Sequence, residues 1–276
     1  MLVVEEAKAI ALKLNNPQRI TECIPSAHRI NYHGADLVVV PHKTDEVRVL
    51  RNLGIKAPAP IMHYYDWVGE FTPYDHQKRT SAFLTMHHKA LVLNEIGTGK
   101  TQSALWAADY LMNMGVINKV LVISPLSTLE RVWGDAIFKG FMHRRHVTLH
   151  GTAKKRKQLL RTEADFYIVN HDGFPVISDE CHGMFDLVII DEAAVYRNPS
   201  TTRFRLFNKW MDNNPDARLW LMTGTPTPNA PTDAWTLSKL VGNANLPRTF
   251  GSFREVTMEK WGMYKWMPRA GALDTV

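Results

Sequence analysis

The fold of this chain is decided by one stretch, Asn94-Glu95-Ile96-Gly97-Thr98-Gly99-Lys100-Thr101. It follows an apolar run at 90–93 and precedes a helix-like stretch that begins at Gln102. A strand, a glycine-bearing loop, Lys-Thr and a helix form, in this order, the layout of a phosphate-binding loop. Such a loop surrounds a polyphosphate with backbone N–H groups, and the helix adds its positive N-terminal end. The sequence therefore predicts an α/β domain with a nucleotide site at this loop.

Individual residues of the loop have distinct predicted roles. The curve around the phosphates is formed by Gly97, Thr98 and Gly99. Lys100 is expected to contact the β- and γ-phosphates, and the Thr101 hydroxyl to help hold Mg²⁺. Asn94 stands where the strict pattern has glycine. A chance Gly-Lys-Thr in an ordinary loop is the alternative, and the flanking strand and helix argue against it.

Bulk composition describes an ordinary globular protein. The 276 residues are 45% hydrophobic and 22% charged, which allows two domains with proper cores. Only two cysteines are present, which predicts a reducing compartment and no disulfide framework. Glu5 and Glu6 stand where a signal peptide would be basic, and no apolar run is long enough to span a bilayer. We therefore expect a cytoplasmic protein without membrane contact.

Positive charge is concentrated in one segment. Residues 139–161, the basic segment, contain eight Lys or Arg and no Asp or Glu, whereas the whole chain has a net charge of +6. A basic stripe on a nucleotide-binding protein suggests a polyanion partner, nucleic acid first. The candidate contacts are Lys154, Lys155 and Lys157. A merely solvated face of a polar helix at 154–161 is the alternative.

The pattern of apolar and polar residues changes near residue 67. Residues 1–66 predict a small α+β module, with a hairpin turning near His33 and a proline-rich linker at 56–60. Beyond it, continuous apolar runs alternate with helical stretches, which indicates a mostly parallel sheet with helices on both faces. The predicted strands are 90–93, 120–123, 147–149, 166–169, 187–190 and 219–222. Three segments follow from this pattern: an accessory domain at 1–66, a nucleotide-binding lobe at 67–242 and an extension at 243–276.

Two further signals fall at the ends of predicted strands. Asp191 and Glu192 follow an apolar strand, at the edge where α/β sheets bind ligands. Asp191 is suited to hold Mg²⁺ and Glu192 to polarise an attacking water. The last strand runs into Thr223-Gly224-Thr225-Pro226, which alone would indicate no more than a tight turn.

Together these motifs resemble superfamily 2 helicases and translocases, and in particular the SNF2 branch with its phage-encoded relatives. The resemblance spans residues 71–242 and predicts a RecA-like lobe. Its further matches are 73–77 (the Q motif), 123–129 with Trp133 (motif Ia), 168–171 (motif Ib) and 196–198. If a phage encodes the chain, the expected location is the host cytoplasm.

The resemblance implies a role for each matching position. Gln77 would recognise adenine, which makes ATP with Mg²⁺ the expected cofactor pair, and the catalytic residues would be Lys100, Asp191 and Glu192. Contacts to a nucleic-acid backbone, DNA before RNA, would come from Ser124, Pro125, Thr128 and Asn170. Coupling of the nucleotide state to that track would run through Thr223, Gly224 and Thr225. The implied function is an ATP-dependent DNA translocase, and the alternatives are a non-hydrolysing regulatory module and a P-loop kinase or GTPase.

Two departures from the family pattern bear on activity. Ala194 stands where the family usually carries His, so the contact of that His to the Thr-Gly-Thr segment is unavailable. Only 35 residues follow Val241, whereas a second RecA-like lobe needs roughly 150. We therefore expect the arginine fingers to lie on a second lobe outside this chain, and hydrolysis by the chain alone to be very slow. The aromatic and cationic stretch 250–266 is predicted to pack against a lobe, with base stacking as the alternative.

Overall fold

A computed structural model describes residues 1–225, 230–242, 245–262 and 265–272. The chain forms two compact units, the first made of 1–67 and 73–87, and the second of 68–72 and the described residues from 88 onward. The stretch 73–87 was expected to belong to the nucleotide-binding lobe. It lies in the first unit because its helix packs against the two helices at 44–52 and 61–64.

The first unit is a four-stranded antiparallel sheet with helices. The strands lie in the order β1-β2-β4-β3. They are β1 (Leu2–Val4), β2 (Ala9–Leu12), β3 (His28–Tyr32) and β4 (Ala35–Pro41). The helices are α1 (Gln18–Cys23), α2 (Thr44–Asn52), α3 (Ile61–Tyr64) and α4 (Asp75–Met86).

The turns of the first unit lie where the sequence predicts them. The predicted hairpin is β3–β4, and both residues of its turn, His33 at φ 48° and Gly34 at φ 78°, have the left-handed conformation that tight hairpins require. Helix α2 ends just before Gly54, which has a φ of 87°. Strand β1 was not predicted, because three residues give too short a pattern.

The second unit contains a six-stranded sheet in which every pair is parallel, in the order β5-β10-β9-β6-β8-β7. Its strands are β5 (Lys89–Val92), β6 (Val120–Ser124), β7 (His146–Thr148), β8 (Phe166–Asn170), β9 (Leu187–Asp191) and β10 (Arg218–Met222). All six predicted strands are confirmed to within one residue at each end. Every residue of β6, β8 and β10 is buried, which explains their continuous apolar pattern.

Helices connect these strands. The α-helices are α5 (Lys100–Asn113), α6 (Asp135–Gly140), α7 (Ala153–Leu160), α8 (Phe174–Ile177), α9 (Thr202–Asp212) and α10 (Ala234–Leu240). Short 3₁₀ turns occupy Leu126–Thr128, Ser178–Glu180, Ala193–Tyr196 and Pro231–Asp233, and a π-helix occupies Leu129–Gly134. No helix in the described residues is both long and apolar enough to cross a membrane.

The C-terminal stretch packs within the second unit. It forms α11 (Phe250–Thr257) and a hairpin of β11 (Met258–Trp261) and β12 (Lys265–Pro268). Phe253 is buried, Phe250 lies edge-on against Trp235, and the Arg254 guanidinium lies 4.3 Å from the Trp266 ring centroid. These contacts favour the packing role predicted for 250–266 over base stacking.

Candidate nucleotide site and nucleic-acid face

Strand order brings the predicted nucleotide residues to one edge of the sheet. Strand β10 lies between β5 and β9, and Met222 is level with Val92 on one side and Asp191 on the other. The phosphate-binding loop, the Thr-Gly-Thr segment and the Asp-Glu pair therefore leave the sheet side by side. The residues predicted to follow nucleic acid leave the same edge from β6 and β8.

The phosphate-binding loop has the backbone conformation that its glycines permit. Gly97 (φ 82°) and Gly99 (φ 77°) are both left-handed, and a Cβ on Gly97 would meet no atom within 4 Å. The Thr98 hydroxyl donates to the Glu95 carbonyl at 2.8 Å, which closes the turn. The loop is a curved backbone segment with open space at Gly97, and it leads directly into α5.

Lys100 and Thr101 occupy the first turn of α5, as predicted. The Lys100 Nζ donates to the carbonyls of Asn94 and Glu95, both at 2.9 Å, so its ammonium group lies within the curve of the loop. Thr101 is half-buried beside it. The cation and the helix N-terminus are therefore in place for a polyphosphate.

Asp191 ends β9 and has hydrogen-bond donors at both carboxylate oxygens. The Trp133 indole Nε1 donates to Oδ2 at 3.1 Å, and the Glu192 backbone N–H donates to Oδ1 at 3.1 Å. Burial raises the pKa of Asp191, and these two hydrogen bonds act in the opposite direction, as does the charge of Lys100. The influence of Lys100 agrees with the side-by-side placement of the loop and the carboxylate.

Glu192 has a left-handed backbone at φ 54°, a conformation that costs a non-glycine residue about 1–2 kcal/mol. Its Oε1 accepts a hydrogen bond at 3.1 Å from the hydroxyl of Thr223, which is fully buried. The same hydroxyl accepts from the Thr225 backbone N–H at 3.2 Å. The Asp-Glu pair is therefore linked to the Thr-Gly-Thr segment through Glu192, although Ala194 replaces the histidine that usually makes such a contact.

Gly224 brings the Thr-Gly-Thr segment close to the phosphate-binding loop. A Cβ on Gly224 would lie 3.3 Å from Ile96 Cγ1 and 3.4 Å from the Asn94 carbonyl oxygen. The backbones can approach this closely because residue 224 has no side chain. The predicted continuation of this segment at 226–229 lies outside the described residues.

Gln77 lies in the first unit, in the first turn of α4. Its Oε1 accepts a hydrogen bond at 3.0 Å from the backbone N–H of Tyr74, so that the side chain caps the helix. The adenine-recognition role predicted for Gln77 stays a prediction.

The motif Ia residues follow β6, but they differ in exposure. Ser124 is completely buried, and its hydroxyl has no partner among the described residues. Pro125 and Thr128 are half-buried, and the Thr128 hydroxyl donates to the Pro125 carbonyl at 2.9 Å. Leu126 is 58% exposed. The exposed part of this segment is therefore the 3₁₀ turn, and the nucleic-acid contact predicted for Ser124 stays a prediction.

Asn170 is held by an arginine that the sequence did not single out. The Arg156 Nη1 donates to Asn170 Oδ1 at 2.9 Å and to the Leu149 carbonyl at 2.6 Å, and its Nε donates to the Gly151 carbonyl at 2.9 Å. Gly173 permits this arrangement, because a Cβ there would overlap Arg156 Nη1 and lie 2.6 Å from Asn170 Oδ1. Arg156 therefore orients Asn170 and is not a freely solvated cation.

The two residues after Asn170 contact other elements. His171 is buried, its Nδ1 lies 3.5 Å from the Tyr196 hydroxyl, and burial lowers its pKa to about 4, so the imidazole is neutral at neutral pH. Asp172 forms an ion pair with Arg203 of α9 at 2.5 Å. The carboxyl end of β8 is thereby joined to the turn that follows Glu192 and to α9.

Half of the cations in the basic segment have partners within the second unit. The four are Lys139 with Asp135, Arg144 with Asp109, Arg156 with Asn170, and Lys157 with Glu180. The Lys157–Glu180 pair measures 2.6 Å, so Lys157 differs from the other two predicted contacts. Lys154 and Lys155 are exposed. Arg144 and Arg156 are therefore held within the fold, whereas Lys139 and Lys157 are paired but still exposed at the surface.

Comparison with known proteins assigns the family. A model of the SNF2-related domain matches residues 55–260, which is well over half of the chain. This chain belongs to the SNF2-related family. The resemblance found in its motifs is therefore confirmed, and the family implies the use of ATP.

Several relatives of this SNF2-related chain have names or solved structures. Putative protein p41 of Acyrthosiphon pisum secondary endosymbiont phage 1 is 29% identical over 202 residues, covering 66% of this chain and 42% of that protein. The uncharacterized ATP-dependent helicase YqhH of Bacillus subtilis is 25% identical over 198 residues, covering 70% and 32%. The Sulfolobus solfataricus SWI2/SNF2 ATPase core, solved in complex with dsDNA, has a TM-score of 0.57 at 19% identity, covering 68% of this chain and 39% of that one.

These comparisons agree with the fold described above. The six-stranded sheet is the RecA-like lobe of the SNF2-related family, preceded by a small α+β unit. The chain spans 42% or less of the length of these relatives.

Proposed function

We propose that this chain is the ATP-binding lobe of an SNF2-related, DNA-dependent ATPase that moves along or remodels DNA. The observation that supports the proposal most is the arrangement at the carboxyl edge of the sheet. There the phosphate-binding loop, Thr223 and the Asp191–Glu192 pair emerge from three adjacent strands. The names of its relatives, a helicase and an ATPase core bound to dsDNA, support the same class.

The residues present fit a magnesium nucleotide. Gly97 leaves open space beside the loop, Lys100 supplies a cation within it, and Thr101 and Asp191 supply the oxygen ligands that Mg²⁺ prefers. When bound, ATP would supply the phosphoanhydride bond whose hydrolysis releases free energy. Glu192 would hold and orient the attacking water and accept its proton.

Coupling to DNA would use the residues that follow β6 and β8 at the same edge of the sheet. Thr223 holds Glu192 through its hydroxyl, so a displacement of the Thr-Gly-Thr segment would change the position of Glu192. The 3₁₀ turn at Leu126–Thr128 would contact the DNA backbone, together with the small exposed part of Asn170, which is buried and fixed by Arg156. Exposed Lys154 and Lys155 would add attraction without sequence preference.

Nucleotide binding tests the first part of this proposal. Lys100→Ala should weaken binding of MgATP to the chain by about 10- to 100-fold, because it removes charged hydrogen bonds to the phosphates. Lys139→Ala, which removes an exposed cation of the same unit, is the matched control and should leave affinity unchanged. Equal MgATP affinity in the Lys100→Ala variant and the native chain, measured by calorimetry, would refute the nucleotide site.

Hydrolysis separates the proposed ATPase from the alternative, a regulatory module that binds nucleotide without cleaving it. The assay measures ATP hydrolysis by the full-length protein, with and without duplex DNA. Glu192→Gln should retain MgATP binding and reduce DNA-stimulated turnover by about 10²- to 10⁴-fold. The regulatory alternative is correct if the native protein binds MgATP but does not hydrolyse it, or if it hydrolyses ATP at a rate that Glu192→Gln leaves unchanged.

Charge reversal tests the DNA face. The variant K154E/K155E should weaken duplex binding and lower the salt slope of log K by about 1.8, since each phosphate contact contributes about 0.9. The variant R205E/K209E changes the net charge equally at exposed positions of α9 and is the matched control. If the two variants lose equal affinity, only the net charge matters and the proposed face is wrong.

A further inference from the structure

Trp133 lies at an unusual position between two parts of the predicted machinery. It is completely buried, in the π-helix Leu129–Gly134 that begins directly after the 3₁₀ turn at Leu126–Thr128. Its indole N–H donates to Asp191 Oδ2 at 3.1 Å, across 58 residues of sequence. The short segment 125–133 therefore begins with residues predicted to contact DNA. At its other end, Trp133 is hydrogen-bonded to the carboxylate predicted to hold Mg²⁺.

The backbone geometry of this segment is rare. Fewer than 1% of residues in globular proteins are in π-helices, and such turns are frequent at functional sites. Here the π-helix includes Trp133 and leads directly into α6. Trp133 has no freedom to leave Asp191 without a change in the surrounding backbone, because its side chain is fully enclosed.

The hydrogen bond determines which way the Asp191 carboxylate faces. The Glu192 N–H holds Oδ1 and Trp133 holds Oδ2, so the plane of the carboxylate is fixed by one local donor and one distant donor. The local donor moves with β9, whereas the distant donor moves with residues 129–134. Any shift of the latter segment relative to β9 would therefore reorient or release Oδ2.

We infer that Trp133 is a positioning residue through which nucleic acid at residues 125–128 regulates metal–nucleotide binding at Asp191. The inference rests on the proposed function for the identity of both ligands. Trp133 touches neither ligand and acts through the Asp191 carboxylate. With Ala194 in place of the usual histidine, this contact gives the Asp-Glu pair a second connection to the rest of the edge, separate from the Thr223–Glu192 bond.

The first experiment observes the indole N–H directly. The chain is labelled with ¹⁵N-tryptophan, and the Trp133 resonance is assigned by its loss in Trp133→Phe, which keeps an aromatic ring and removes the donor. Adding duplex DNA without nucleotide should move this resonance, and adding Mg²⁺ with a non-hydrolysable ATP analogue should move it more than the analogue with EDTA. Trp210, whose indole donates to the Ser178 carbonyl at 3.0 Å, is the internal control and should not move.

The second experiment measures the coupling itself. The affinity of the chain for the Mg²⁺–analogue complex is determined with and without saturating duplex. We expect DNA to change that affinity by about 5-fold or more in the native chain and by less than 2-fold in Trp133→Phe. The control Trp210→Phe removes a buried donor elsewhere in the unit and should keep the full coupling factor. A merely structural role for Trp133 would lower both affinities and leave their ratio unchanged.

The outcomes separate this inference from the proposed function. If DNA and the Mg²⁺–analogue complex both bind but Trp133→Phe keeps the native coupling factor, the inference is wrong and the proposed function stands. If the Trp133 resonance moves equally with the analogue in Mg²⁺ and in EDTA, Trp133 does not position Asp191. If the native chain does not bind DNA at all, both the proposed function and the regulation by nucleic acid are refuted.

Discussion

Removing Arg144 should destabilise the second unit, although Arg144 lies in the basic segment that the sequence assigned to a polyanion. Its Nε lies 2.6 Å from Asp109 Oδ1, and its Nη2 donates to Asn113 Oδ1 at 2.5 Å. Asp109 is 0% exposed and Arg144 only 15% exposed. The variant Arg144→Met keeps the length of the side chain and leaves the Asp109 charge buried, with the half-exposed His143 imidazole and the Asn113 amide still hydrogen-bonded to it.

The magnitude follows from the burial of Asp109. Removing one partner of a buried ion pair costs about 3–5 kcal/mol, because the other charge is left uncompensated. We take the lower end, about 3 kcal/mol, since His143 Nε2 remains 2.8 Å from Asp109 Oδ1. In a protein of this size about 1 kcal/mol shifts the melting temperature by about 2–4 °C, so the expected decrease is about 6–12 °C.

Thermal unfolding followed by circular dichroism measures this decrease, with two reference variants. Lys139→Met removes the exposed partner of Asp135 at 3.8 Å and should change stability by less than about 0.5 kcal/mol. The double variant D109L/R144M removes both charges and should recover most of the loss. If Arg144→Met melts within 2 °C of the native chain while its DNA affinity decreases, Arg144 belongs to the polyanion face and this reasoning is refuted.

Three other predictions concern single positions. Gly173→Ala should displace Arg156 from Asn170 and weaken DNA binding several-fold. Gly251→Ala, where a Cβ would meet no atom closer than 3.9 Å, is the control and should not; equal DNA affinities in the two variants, measured by fluorescence anisotropy, would contradict this. Thr223→Val should keep MgATP binding but lower DNA-stimulated hydrolysis, while Thr223→Ser retains the hydroxyl and most of the rate; a Val variant as active as the Ser variant would count against the bond to Glu192. Burial lowers the pKa of His42, so the unfolded state binds more protons below about pH 6.5 and the stability of the first unit should decrease as pH falls from there. His42→Gln should flatten that dependence in hydrogen-exchange measurements, and an unchanged slope would show that other groups cause it.

Much of the nucleotide site was predictable because its signals are local. A buried parallel strand must be apolar at consecutive positions, so the six strands were visible as short runs such as 120–123 and 187–190. The phosphate-binding loop needs glycines and Lys-Thr within eight residues, and these were adjacent in the sequence. The roles of the site residues stay predictions until the variants above are measured.

The partners of charged and polar side chains were not predictable. Arg144 is hydrogen-bonded to Asp109, 35 residues away in the sequence, and Trp133 to Asp191, 58 residues away. Such pairs depend on how strands are ordered in the sheet, which no local pattern encodes. For the same reason the charge run at 139–161 gave an accurate count of cations but did not show that Arg144 and Arg156 are held by partners within the fold.

The late position of β10 in the chain has a consequence for biosynthesis. Strand β5, which leads into the phosphate-binding loop, pairs only with β10 among the described strands, and β10 does not begin until Arg218. In a nascent polypeptide β5 therefore stays unpaired until β10 has been made, and one side of β9 stays unpaired while the residues between β9 and β10 are added. Unpaired strand edges associate readily with other chains. Polypeptides that stop before Arg218 should consequently be insoluble or chaperone-bound, whereas chains extended beyond Met222 can close the sheet.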